Sequence, residues 1–138
     1  MPKVKKYFLP ITVVFVVVTV FNMIFHGMLM EKVYMHYSHF FRPHNEICKH
    51  KLYMWLGNLI YAAAFYYIYT KGHEGKKDIV QGMRYGIWIS LLIWVPQAII
   101  NYTVYPYPKS LVLAWLVGYT VQSIIAGIVA SLVYAKVK

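Results

Sequence analysis

At 138 residues, 60% of them hydrophobic and only 13% charged, the chain carries about half the charge of an ordinary soluble domain. One soluble core of this size cannot hide so much apolar surface, which excludes the soluble globular classes and leaves a single integral membrane domain over residues 1–138. The formal charge of +10 is spread over the ends of the apolar stretches, not along one helix face, so it points to lipid headgroups and not to nucleic acid.

Four apolar stretches follow one another, at residues 7–30, 52–70, 79–101 and 111–135. About twenty residues at 1.5 Å rise cross a hydrocarbon core roughly 30 Å thick. Backbone groups in lipid must bond within their own segment, and the ten-residue alternation of membrane strands is absent. The expectation is an all-α bundle of four transmembrane helices. The first stretch begins with a basic segment but has no small-residue cleavage site after it, so it reads as a retained span and not a secretion signal. No breaker follows it before Pro43, which predicts a helix continuing to about Phe40, beyond the outer membrane face.

Thr70 to Asp78, with Gly72 and Gly75, reads as a polar inner turn; Tyr102 to Pro108 reads as an outer turn stiffened by Pro106 and Pro108. Tyr34, Tyr37, Tyr53 and Trp115 join that turn's tyrosines as an outer aromatic belt. With the N-terminus inside, nine basic residues (Lys3, Lys5, Lys6, Lys71, Lys76, Lys77, Arg84, Lys136, Lys138) face inward and five (Lys32, Arg42, Lys49, Lys51, Lys109) outward. Both termini are therefore expected in the cytoplasm. A faint likeness between the halves, Trp55-Leu56-Gly57 against Trp115 to Gly118, uses residues that any aromatic belt would supply.

Function in such a chain should show in polar groups within the spans. Asn22 and His26 lie four apart on the first; Asn58 is on the second; Gln97 and Asn101 follow Ser90 and Trp94 along the third, beside Pro96; Gln122 is on the fourth among small residues. These six amides and imidazoles bind helices together or line a polar pocket for a small solute or quinone. No acidic residue lies deep in a span, which argues against a proton- or cation-coupled transporter. His26 has no second histidine at its depth, so a haem held within one chain is not expected.

Four of the six histidines fall within fifteen residues: His36, His39, His44 and His50, beside Glu46 and Cys48. Imidazole, thiolate and carboxylate together suit zinc or copper, although the spacing matches no standard site. A plain interfacial loop is the leading reading, with a metal or a shared haem as the alternative; no cofactor is predicted outright. The single Cys48 excludes an intrachain disulfide. No phosphate loop, nucleophile elbow or carboxylate pair is present, so no enzymatic site is expected.

Phe25-His26-Gly27-Met28-Leu29, Tyr34, Arg42-Pro43, Gly82-Met83-Arg84-Tyr85-Gly86, Asn101 to Pro106, and Trp115, Gly118, Gln122, Ala126 and Gly127 complete the pattern. In these motifs the chain resembles a family of small prokaryotic four-helix membrane proteins of unknown function. The resemblance implies a four-helix integral fold in an inner (plasma) membrane and supplies no catalytic residue. The leading expectation is a non-catalytic subunit or accessory protein, packed among lipids against other membrane subunits or copies of itself. The alternatives are a small-solute channel, carrier or quinone-binding module using the six intramembrane groups, and metal or haem binding by the outer histidines.

Overall fold

The run Val13 to Val20 has strand-forming side chains, yet it is helical, because a helix satisfies every backbone group without a partner segment. In the computed structural model, which describes residues 3–75 and 78–137, this run is the middle of α1 (Lys3–Ile24). The chain continues through α2 (Glu31–His36), α3 (His44–Lys49), α4 (Lys51–Lys71), α5 (Asp78–Ile89), α6 (Val95–Val104) and α7 (Lys109–Val137). The described residues are helix and turn, with no strand among them, as the all-α expectation requires. Of the expected inner charges, Lys76, Lys77 and Lys138 lie outside the described residues.

Among the described residues, three helical stretches are long and apolar enough to cross a membrane: Lys6–Leu29, Ile79–Val104 and Lys109–Val137. The 21-residue α4 is of similar length but less apolar, since it carries Asn58, five tyrosines and a lysine at each end.

Two of the stretches contain a wide turn. At Phe25–Leu29 the Met30 amide donates to the Phe25 carbonyl, and at Ser90–Trp94 the Val95 amide donates to the Ser90 carbonyl. Each is a π turn, which accommodates one extra residue. The second precedes Pro96, whose ring would otherwise crowd the preceding helical turn. The first changes an expectation. The path beyond the first long helix does reach Phe40, but in pieces: a break at Met30, then α2, then a tight turn at Ser38–Phe40. His36 ends α2, so His36 and His39 do not share one continuous α-helical face.

Pro10 sits inside α1 and cannot donate to the Lys6 carbonyl four residues back. The Tyr66 hydroxyl of α4 donates to that carbonyl instead, at 3.3 Å. One side chain thus covers the proline's missing bond and pins α4 to α1. Around it lies the core, with Val14 and Val18 of α1 against Ala62, Phe65, Tyr66 and Tyr69 of α4, closed by Ile89, Ala126 and Ala130. The Tyr85 hydroxyl donates to the Phe65 carbonyl at 2.6 Å, tying α5 to the same centre.

The most intimate packing is between α5 and α7. Gly82 and Gly86 lie one turn apart on α5, facing Ser123 and Gly127 of α7. A Cβ at Gly82 would overlap the Gly127 carbonyl and the Ser131 hydroxyl, and one at Gly86 would overlap the backbone at Ser123 and Ile124. A Cβ at Gly127 would overlap the Gly82 carbonyl. Small residues on both helices let the backbones touch, and no side chain can be inserted.

Core burial is concentrated where the chain carries Tyr66, Tyr69 and Tyr134. Towards the other end the helices separate, and Leu52 to Ile60 of α4 are exposed on almost every side, Asn58 excepted. The substitution Gly127→Val should cost about 1–3 kcal/mol through overpacking, with backbones on both sides unable to yield. Unfolding of the purified protein in mixed micelles measures it; Val117→Ile, at an exposed position, serves as the unaffected reference.

Candidate functional site

The six intraspan groups expected to act together separate into smaller sets. Asn22 donates to the Asn58 side chain at 3.1 Å, and Asn58 donates to Thr19 Oγ1 at 3.3 Å. This knot joins α1 to α4 and is interhelical bonding of the ordinary kind. His26, one turn on, lies inside the first π turn and bonds elsewhere. Gln122 is 3% exposed on α7, and its Oε1 has no hydrogen-bond partner. Gln97 donates to Asn101 Oδ1 at 2.9 Å on α6, one turn apart on an accessible face.

His26 belongs to a network that the sequence reading missed. Tyr34, on α2, places its hydroxyl 2.5 Å from His26 Nδ1, and Trp115 of α7 donates its indole N–H to the same hydroxyl at 2.8 Å. Residues eight apart on a straight helix would be roughly 12 Å apart along the axis. The wide turn and the break at Met30 bring His26 and Tyr34 together, with their rings nearly parallel at 5.9 Å. Phe41 closes on both Tyr34 and Trp115 edge-to-face, and the Phe25 ring lies against Gly118, where any Cβ would collide with it. Burial pushes the Tyr34 hydroxyl above its ordinary range, the Trp115 bond offsetting part of the rise, so the phenol is protonated at neutral pH. Trp115 is therefore an interior donor and not merely a belt residue.

A second node sits one layer further in. Ser123 is fully buried; its hydroxyl accepts the Trp94 indole N–H at 2.9 Å and meets the Tyr61 hydroxyl at 3.1 Å. Ser90 and Thr120 hydroxyls pair at 2.6 Å beside it. The second π turn is what points Ser90 and Trp94 at α7. Trp94 stacks on Tyr119 at 4.3 Å with 15° between planes, and Tyr119 meets His26 at 5.5 Å.

Between α6 and α7 these rings border a cleft of about 330 Å³. Trp94, Tyr105, Tyr107, Trp115 and Tyr119 supply its aromatic walls, and Gln97 and Asn101 its amides. Among the described residues no charged one lines it. The volume falls within the range of small-molecule sites, roughly 300–1,000 Å³. Because Gln97 Nε2 already serves Asn101 Oδ1, Gln97 Oε1 remains as an acceptor and Asn101 Nδ2 as a donor. The cleft can thus take a flat, uncharged molecule and meet a carbonyl or a hydroxyl on it.

The outer histidines are placed separately. His44 Nε2 lies 3.5 Å from Cys48 Sγ, while His50 Nδ1 donates to the Glu46 carbonyl at 2.8 Å. The Glu46 carboxylate lies 3.9 Å from the Arg42 guanidinium. His36 packs on Tyr37 and His39 on Phe40. Among the described residues no three His, Cys, Asp or Glu side chains converge as a metal site would need.

Replacing Ser123 with Ala should strand the Trp94 N–H and the Tyr61 hydroxyl at a buried position, costing about 1–3 kcal/mol. Thermal unfolding followed by tryptophan fluorescence reads both the loss and the changed surroundings of Trp94. Comparison of the chain with protein-family models, with characterised proteins and with solved structures finds no match.

Proposed function

We propose that this chain is a four-span membrane protein, with both termini in the cytoplasm, that binds a small planar ligand of the quinone class in the cleft between α6 and α7. The observation that carries the ligand reading is the composition of that cleft: five aromatic residues, an amide pair with one free acceptor and one free donor, and no charge. An uncharged lining disfavours ions and phosphates. Aromatic walls suit a flat ring. A quinone carbonyl accepts from Asn101 Nδ2, and the hydroquinone hydroxyl donates to Gln97 Oε1, so both oxidation states find a partner.

The fourth span is α4. Its 21 residues extend about 31 Å, the thickness of a hydrocarbon core, and it lies along α1, one of the stretches apolar enough to cross. The excess of basic residues, nine against five, puts the ends bearing Lys6, Lys71, Arg84 and Lys136 inside. A prokaryotic inner membrane fits the resemblance described above. The accessory-subunit reading keeps one observation of its own, the first half of α4, where Leu52, Tyr53, Met54, Trp55 and Leu56 are all more than half exposed. Lipid covers such a surface as well as a partner subunit does. Stoichiometric partners in native mass spectrometry would move that reading ahead.

The single Cys48 is partly exposed and makes the orientation testable without engineering. A membrane-impermeant maleimide should label Cys48 in intact spheroplasts; labelling only after permeabilisation would invert the orientation. For the ligand, a short-chain ubiquinone should quench the fluorescence of Trp94 and Trp115 saturably in nanodiscs. Gln97→Leu or Asn101→Leu should raise its Kd by about tenfold, the equivalent of one lost hydrogen bond. Unaltered quenching in both variants would show that the cleft is not the site.

A further inference from the structure

A second hollow lies at the outer end of the bundle and shares no lining residue with the cleft. It is a groove of about 350 Å³ between α2 and the first turns of α7, lined by Lys32, Val33, His36, Tyr37, Ser110 and Ala114. Lys32 and His36 lie four apart, as do Val33 and Tyr37, so two adjacent rows of α2 and its cap form one wall. Ser110 and Ala114, also four apart, form the other. The walls are held together from both sides. Trp115 donates to the Tyr34 hydroxyl at 2.8 Å, and Phe40 meets Tyr107 edge-to-face at 5.4 Å. The small side chains of Ser110 and Ala114 leave open the space that a larger pair would fill.

Four of the six lining residues bring donors: an ammonium, an imidazole N–H, a phenol and an alcohol. Among the described residues none of these four side chains has a hydrogen-bond or ion-pair partner, and no carboxylate lines the groove. Glu31, next to Lys32 in the chain, is not part of the lining. Donors drawn from two elements far apart in sequence thus face one space that holds no acceptor from the chain. One positive charge among neutral donors suits an anion. The groove also sits among Tyr34, Tyr37 and Trp115, at the level of the headgroups, and Val33 and Ala114 give it an apolar strip. An amphiphile with an anionic head uses both the donors and the strip. A free anion uses only the donors.

We propose that the groove between α2 and α7 is a specific site for one anionic phospholipid, whose phosphodiester pairs with Lys32. His36 and Ser110 donate to the phosphate oxygens, and an acyl chain lies along Val33 and Ala114. Lys32 packs its methylene stem on the same apolar strip while its ammonium reaches the phosphate. A lipid so held is a strut between α2 and α7, beside the bond from Trp115 to Tyr34. The site rests on the membrane reading given above and is independent of what the α6–α7 cleft binds.

Native mass spectrometry of the full chain in detergent, titrated with phosphatidylglycerol, should show one lipid bound per chain. Phosphatidylcholine, whose choline cancels the phosphate charge, should bind about tenfold more weakly. Lys32→Gln should weaken phosphatidylglycerol binding by about tenfold, the equivalent of one charge-assisted hydrogen bond. Lys32 is exposed, so this variant should unfold at the wild-type temperature when no lipid is added. Lys51→Gln removes a charge at the start of α4, outside the groove, and should leave binding unchanged. Excess inorganic phosphate should not displace the lipid. Equal losses in the two variants would overturn the site and leave only a general attraction of the basic outer end for anionic lipid. Equal binding of the two lipids would overturn the charge pairing. Displacement by inorganic phosphate would overturn the lipid in favour of a free anion, and a stoichiometric protein lost on substituting Lys32 would put a partner subunit in its place. A chain that binds phosphatidylglycerol through Lys32 but shows no ubiquinone quenching would lose the cleft reading and keep this one.

Discussion

The contact between the backbones of α5 and α7 is the constraint on which the rest of the bundle depends. Gly82, Gly86, Ser123 and Gly127 bring the two chains so close that no Cβ fits between them at the glycines. In lipid, apolar side chains gain little by leaving one hydrocarbon for another, so close approach and dispersion contacts must hold helices together. Ser123 serves two purposes at once. Its small side chain permits the approach, and its hydroxyl accepts the Trp94 N–H from the second π turn. The seam and the aromatic layer above it are therefore one structure, and moving either moves the other.

Polar groups are placed with the same economy. Tyr66 supplies the donor that Pro10 lacks, Tyr85 reaches the Phe65 carbonyl, and Asn22 donates to Asn58 across a helix pair. Each of these bonds also locks two helices, and each lies where water would otherwise be needed. Against that background the free amide atoms of Gln97 and Asn101, set in a cleft without charges, are groups left over from packing. The cleft's walls are built from α7 residues that also hold the interior, Trp115 and Tyr119, so an occupant of the cleft touches the network around Tyr34 directly.

Much of the helical framework is readable from apolar run length. The stretches at 79–101 and 111–135 fall within two of the long apolar helices, the stretch at 7–30 overruns Lys6–Leu29 by Met30 alone, and Gly72, Pro106 and Pro108 fall in the connections. The site was less readable, for a physical reason. Reading polar residues at a three- or four-residue spacing assumes an unbroken 3.6-residue turn, which puts Asn22 with His26 and Trp94 with Gln97. The π turns at Phe25–Leu29 and Ser90–Trp94 shift that register, so His26 turns to Tyr34 and Trp94 to Ser123. Nothing in Phe-His-Gly-Met-Leu announces a wide turn, although Pro96 after the second is a signal that could have been used. Tyr34, Trp115 and Ser123 carry no signal of their own in the sequence, because a belt tyrosine, a belt tryptophan and a serine on a helix of small residues all have commoner explanations.

The two wide turns have a consequence for how the chain can vary. A π turn is a helix with a single residue added, and the addition is taken up inside the turn itself. What changes is the phase between sequence and face, by about 100° for every residue beyond it. Deleting Leu92, for instance, would close the wide turn to an ordinary one, keep the seam with α7 and leave Gln97 and Asn101 bordering the cleft. Each wide turn is thus a place where the helix can lose a residue without either of its ends being rebuilt.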